Sequence, residues 1–176
     1  MKTQSKIEEA QTVYEKFISG FQSMNLATVD EAGNPNASYA PFAHDENNNL
    51  YVFISGLSKH TSNMFHTKKA SVLFVEDESK ADHIFARKRL TYSCETTLIE
   101  REDSGFEAGA KLLEAKFGAS FAHMMKMPDF RLFKISPTSG LFVIGFGAAF
   151  AVAEDLKQLT HLGGEGGKAH SVAHKL

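Results

Sequence analysis

Residues 50–66 read L-Y-V-F-I-S-G-L-S-K-H-T-S-N-M-F-H. The first six are largely aromatic and β-branched, the composition of a strand. A glycine then breaks the pattern, and Ser58 stands where an N-cap precedes a short helix. A strand, a polar loop and a helix start within so few residues bring hydroxyls, a cation and open backbone N–H groups to one point. Ser55, Ser58, Lys59 and His60 are the candidates to meet an anionic group there. A helix that is merely capped after a strand has the same sequence, so this stretch decides architecture before chemistry.

Upstream, M-N-L-A-T-V-D-E-A-G-N-P-N-A-S-Y-A-P-F predicts two strands, 24–30 and 36–43, around a turn with Gly33 and Pro35. That is a hairpin. Asp45 to Asn49 make the next turn. At the N-terminus, residues 5–19 predict a helix with Ile7, Ala10, Val13, Tyr14 and Phe17 on one face and Gly20 as its stop. Downstream, A-S-V-L-F-V-E is a fourth strand, and R-K-R-L-T-Y-S-C-E-T-T-L-I-E over 87–100 a long fifth. Residues 105–118 predict an amphipathic helix with Phe106, Ala110, Leu113 and Phe117 in register, and 123–127 a shorter piece ended by Pro128. F-R-L-F-K-I-S and G-L-F-V-I-G-F-G, split by P-T-S-G, predict a closing hairpin; 154–161 predict a last helical turn.

Six antiparallel strands with helices between them predict a mainly β protein, a small six-stranded barrel with helices over its ends. The 176 residues fit one domain, 1–176, with an N-terminal helix within 4–20 and a flexible His/Gly-rich tail over 162–176. The net charge of −2 gives no general attraction for nucleic acid or an anionic membrane. No apolar run approaches a membrane span, and the N-terminus lacks the apolar core of a signal peptide. A soluble, cytoplasmic protein is expected. The single cysteine, Cys94, excludes an internal disulfide, and its strand setting predicts a packed thiol rather than a nucleophile.

Three further features carry chemistry. In A-R-K-R-L, a strand would put Arg87 and Arg89 on one face and Lys88 on the other. Two guanidiniums on one face suit carboxylates or phosphate, although edge-strand surface charge looks the same. In M-P-D-F, Asp129 follows Pro128 where a helix gives way to a strand; such an aspartate caps a turn or accepts the proton of a ligating imidazole. The last sixteen residues, H-L-G-G-E-G-G-K-A-H-S-V-A-H-K-L, hold His161, His170 and His174 but too few apolar residues to build a core. A tail of this kind is either a loose terminus or a carrier of ligands for a metal or heme iron. His44 and His83 are expected in solvent, and His66 and His123 at the core or its rim. No zinc-hydrolase, nucleophile-elbow or phosphate-loop motif is present.

Together, L-A-T-V-D-E-A-G-N-P-N-A-S-Y-A-P-F, S-K-H-T-S-N, V-E-D-E-S, I-F-A-R-K-R-L-T, D-F-R-L-F-K-I-S-P and G-L-F-V-I-G-F-G-A-A-F span about residues 23–150. In that order they resemble the heme-utilisation proteins of the HutZ/HugZ family, within the flavin-reductase-like split-barrel group related to pyridoxamine phosphate oxidase. The resemblance implies an intertwined homodimer with an FMN-binding type of split barrel, holding heme at the subunit interface. It also implies oxygen-dependent opening of the porphyrin, driven by an external electron donor, with release of iron and a biliverdin-type product. A C-terminal histidine would be the proximal ligand and Asp129 the aspartate that hydrogen-bonds it. Arg87 and Arg89 would anchor the heme propionates or line the dimer interface.

The tail departs from the family pattern. After His161–Leu162 the expected histidine position falls near Gly166, and the next histidine is His170. His170 is therefore the expected ligand, with His174 and His161 as alternatives. Two other readings stay open. An FMN-binding oxidoreductase would use Ser55, Ser58 and Lys59 for the phosphate, although N-A-S-Y-A-P-F offers no arginine or lysine to complete that clamp. A heme carrier or storage protein would use the same tail and Asp129 without turnover.

Overall fold

The computed structural model describes residues 2–162. Thirteen helices and strands follow one another: α1 (Lys2–Phe17), β1 (Ser23–Val29), β2 (Pro35–Pro41), β3 (Ala43–His44), β4 (Leu50–Ser55), α2 (Lys59–Thr67), β5 (Lys69–Val75), β6 (Arg89–Ile99), α3 (Phe106–Phe117), α4 (Ala119–Met124), β7 (Phe130–Gly145), β8 (Ala148–Val152) and β9 (Leu159–His161). The strands form one sheet in the order β2-β1-β5-β6-β7-β4-β3, with β8 added on β7 and β9 on β8. No described helix is long and apolar enough to cross a membrane.

The chain divides into two compact units. The larger comprises Phe21–Leu73 and Tyr92–Thr138. In it β1 and β2 pair antiparallel from Ser23↔Pro41 to Val29↔Pro35. Their turn closes because Gly33 accepts a φ of 82° and the Asp30 carboxylate takes the N–H groups of Ala32 and Asn34. β1 alternates buried and exposed residues without a break, the signature of a strand with one face on a core. That core includes Phe53, Phe106, Leu113, Phe121 and Leu132, where α3 and α4 cover the sheet. Helix α3 comes close enough that a Cβ on Gly109 would stand 2.8 Å from the Tyr51 ring.

The smaller unit comprises, among the described residues, 2–20, Phe74–Thr91 and 139–162. Here α1 buries Ala10 and Tyr14, one turn apart on the stripe its periodicity predicts. The Tyr14 and Phe17 rings meet Phe142 edge-on at 5.5 and 5.2 Å, and the Tyr14 hydroxyl donates to the Leu156 carbonyl at 2.8 Å. The end of β7 pairs with β8, and β8 with β9.

Three expectations need correction. The sheet has nine strands rather than six, and its hydrogen-bonded order is open, with β2 at one end and β3 at the other. Those end strands are separated only by Phe42, so backbone continuity joins the two edges in place of a ladder. Pro41, at the end of β2, has no N–H with which to extend the ladder further. Second, the P-T-S-G sequence makes no hairpin: residues 137–140 stay extended inside the single strand β7. The reversal comes later, at 145–147, where Gly147 takes a φ of 62°. Third, the residues read as a last helical turn contain the strand β9 after a turn in which the Asp155 carboxylate accepts the N–H groups of Lys157 and Gln158.

Candidate functional site

In the larger unit, β4 ends at Ser55 and delivers it to the residue before β7. The Ser55 hydroxyl donates to Asp129 Oδ2 at 2.6 Å, and the Gly56 N–H donates to the Asp129 carbonyl at 2.7 Å. The Leu57 N–H donates in turn to Ser55 Oγ at 3.2 Å. A Cβ on Gly56 would lie 2.8 Å from that same Asp129 carbonyl oxygen, so this crossing requires glycine. The half-buried carboxylate is thus gripped through one oxygen, while Oδ1 has no hydrogen-bond partner among the described residues.

Beside this clasp lies a cavity of about 300 Å³. Its walls are mainly apolar, with Phe53, Leu113, Phe117, Phe121, Met124 and Phe130 among them. Ser55, Ser58 and His60 bring its polar edge. Ser58 occupies the N-cap position of α2 with extended backbone (φ −77°, ψ 139°), but its side chain makes no capping bond. Its carbonyl receives the N–H groups of Thr61 and Ser62. Lys59 is turned toward Asp30, with Nζ 3.9 Å from Oδ2.

His60 has a defined polarity. The Ser38 hydroxyl donates its only proton to the Leu26 carbonyl at 3.1 Å, so Ser38 Oγ can only accept from His60 Nδ1, 3.0 Å away. Nδ1 therefore carries the proton. Nε2 is buried and has no hydrogen-bond partner among the described residues. Burial also pushes the imidazole pKa below its ordinary value, which keeps the ring neutral and leaves a bare lone pair on Nε2.

The remaining candidates lie elsewhere. Arg87 and Arg89 belong to the smaller unit, and only Arg89 is in β6; Arg87 follows a short 3₁₀ turn, so the two do not share a strand face. Arg87 donates Nε and Nη2 to the Glu76 carbonyl and pairs with Glu78 at 3.1 Å. Arg89 donates Nη1 to the Arg87 carbonyl. His161 ends β9, its ring against Phe150 and its Nε2 3.2 Å from the Gly147 carbonyl. His170 and His174 lie outside the described residues. His66 and His123, expected at the core or rim, are exposed; of the two expected in solvent, His83 is exposed and His44 is half-buried. Cys94 is buried in β6 with its thiol pushed up to about 12 by desolvation, a packed thiol as expected. Among the described residues no group of three or more His, Cys, Asp or Glu is placed to hold a metal ion.

Two contributors escaped the sequence. Ser38 was legible in principle: in β2 it lies two residues from buried Ala40, on the same face. The pairing of Ser55 with Asp129 spans 74 residues and has no local signal.

A predominantly antiparallel sheet with flanking helices and a cavity at the strand–loop–helix junction defines a split-barrel protein. The chain belongs to the pyridoxamine 5'-phosphate oxidase family, whose sequence profile matches residues 10–144, and within it to the HutZ group. It is 36% identical to heme oxygenase HutZ of Vibrio cholerae over 167 residues, 92% of this chain and 94% of the relative. The crystal structure of HutZ, there called a heme storage protein, matches with a TM-score of 0.70 at 30% identity, covering 75% of this chain and 94% of that one. ChuZ of Campylobacter jejuni matches with a TM-score of 0.78 at 32% identity, covering 89% of this chain and 63% of that one.

Proposed function

We propose that this protein binds heme and degrades it with oxygen, releasing iron and a biliverdin-type product, as a cytoplasmic homodimer fed by an external electron donor. The observation that carries the reading is 36% identity to a heme oxygenase across nearly the whole of both chains. The site's chemistry fits the group. Asp129 is clasped through Oδ2 and keeps Oδ1 open, which suits a carboxylate that accepts the N–H of a ligating imidazole.

When bound, heme supplies both the iron and the ring that oxygen opens. Of the tail histidines, His170 is the proposed iron ligand, with His174 and His161 as alternatives. Asp129 holds that imidazole's far proton, fixes its orientation and raises its basicity. Ser55 and the Gly56 N–H keep Asp129 in place for this task. Arg89 is the stronger candidate for a heme propionate. It donates only Nη1 among the described residues, whereas the Arg87 guanidinium is committed to Glu76 and Glu78. Ser58 at the start of α2, and Lys59 beside it, are the proposed contacts for a second anionic group.

Titration with hemin, then ascorbate in air, tests the reading. A Soret band that forms and decays while iron passes to a chelator is expected. Asp129→Asn should retain the band and slow its decay about 10- to 100-fold. A stable Soret band with several reductants would make the protein a carrier; bound flavin with no Soret band would move it to flavin chemistry.

A further inference from the structure

We propose that the cavity between β2, β4 and the helices α3 and α4 is a binding site for a single aromatic ring bearing one N–H or O–H group, which donates its proton to His60 Nε2. This goes beyond the heme reading and stands or falls separately from it.

Three observations converge. The first is size. An apolar cavity of about 150 Å³ already holds benzene, and ligand pockets begin at about 300 Å³. A volume of about 300 Å³ therefore has room for one substituted ring. The second is the wall. Phe53 meets Phe121 at 5.4 Å edge-on and Phe130 at 5.5 Å, and Phe117 and Met124 complete a surface suited to an aromatic guest. The third is polarity. The chain from the Leu26 carbonyl through Ser38 to His60 Nδ1 fixes the tautomer, so the buried Nε2 is an acceptor only. A buried acceptor left unmatched is costly, and a ligand that brings a donor to it recovers that cost. A water molecule at Nε2 would need further polar partners, and the wall is mostly apolar.

Calorimetry and heteronuclear NMR on the heme-free protein, using phenol, indole and toluene as probes, test the assignment. Phenol and indole should bind with chemical-shift changes at Phe53, Phe121 and His60, about tenfold tighter than toluene. Ser38→Ala releases the tautomer without opening the core and should erase most of that preference. His60→Gln should erase it as well. Equal affinity for phenol and toluene would reduce the cavity to a nonspecific apolar void and overturn the proposal. So would a preference that survives both substitutions, or the absence of binding in a folded protein. Loss of Soret chemistry in a separate hemin assay would leave these results untouched.

Discussion

The crossing of Gly56 over Asp129 gives a quantitative prediction for Gly56→Ala. The added methyl would sit 2.8 Å from the Asp129 carbonyl oxygen, whereas ordinary contact begins at 3.4 Å, so the two segments must separate by about 0.6 Å. The oxygen that must move also accepts the Gly56 N–H at 2.7 Å, and its residue carries the carboxylate held by Ser55. Overpacking of this kind costs about 1–3 kcal/mol. Replacing glycine by alanine recovers about 0.4–1 kcal/mol by restricting the unfolded chain. A net loss of about 1–2 kcal/mol follows, or a fall of about 2–8 °C in Tm for a chain of this size. Urea denaturation measures the first and calorimetry the second. Heme turnover should fall further than heme affinity, because the displaced carboxylate no longer meets its imidazole partner. Ser55→Ala removes the side-chain clasp without pushing the backbone, so it should spare more stability while still slowing turnover. A Gly56→Ala protein with wild-type stability and wild-type turnover would refute the reasoning.

Gly109→Ala should destabilise by about 0.5–2 kcal/mol, the overpacking against Tyr51 and Leu132 exceeding the gain in helix propensity; unchanged denaturation midpoints would contradict it. Iodoacetamide should leave Cys94 unmodified in the folded protein at mildly alkaline pH and label it in urea, since burial pushes its thiol up to about 12. Rapid labelling of the native chain would count against that burial. Burial alone would raise the Asp45 pKa, but donors from Asn49, Asn47 and the Tyr51 hydroxyl outweigh it and hold the carboxyl below 3.8. A folded pKa below the unfolded one gives stability that is complete above pH 3.8 and is lost as pH falls through the folded value. Asp45→Asn should therefore flatten the acid limb of the stability–pH curve; an identical limb would exclude the residue as a contributor.

Most strands and helices were legible because their signals are local. The six residues from Leu50 carry strand composition, Ser58 marks the start of α2, and Phe106, Leu113 and their neighbours repeat with helical period. The errors occurred where local signals compete with long-range pairing. P-T-S-G has turn composition, yet the strand runs straight through it because its first half pairs with β4 and its last part with β8. Arg87 and Arg89 look like strand neighbours, but the carbonyl of Glu76 captures Arg87 before β6 begins. In the site, Ser55, Ser58, His60 and Asp129 were all visible as residue types. Their roles were not, because the partners of Ser55 and His60 lie 74 and 22 residues away along the chain.

Leu26 and Ser38 stand directly opposite one another in the first hairpin, and this couples an imidazole's proton to strand alignment. A slip by one residue would turn Ser38 to the other face of β2. His60 would then lose its acceptor at Nδ1, and either ring nitrogen could hold the hydrogen. The cavity would present a donor as readily as a lone pair. The same slip would take Ala40 out of the core, so an error of hairpin assembly would surface both as an inverted ligand preference and as lost packing.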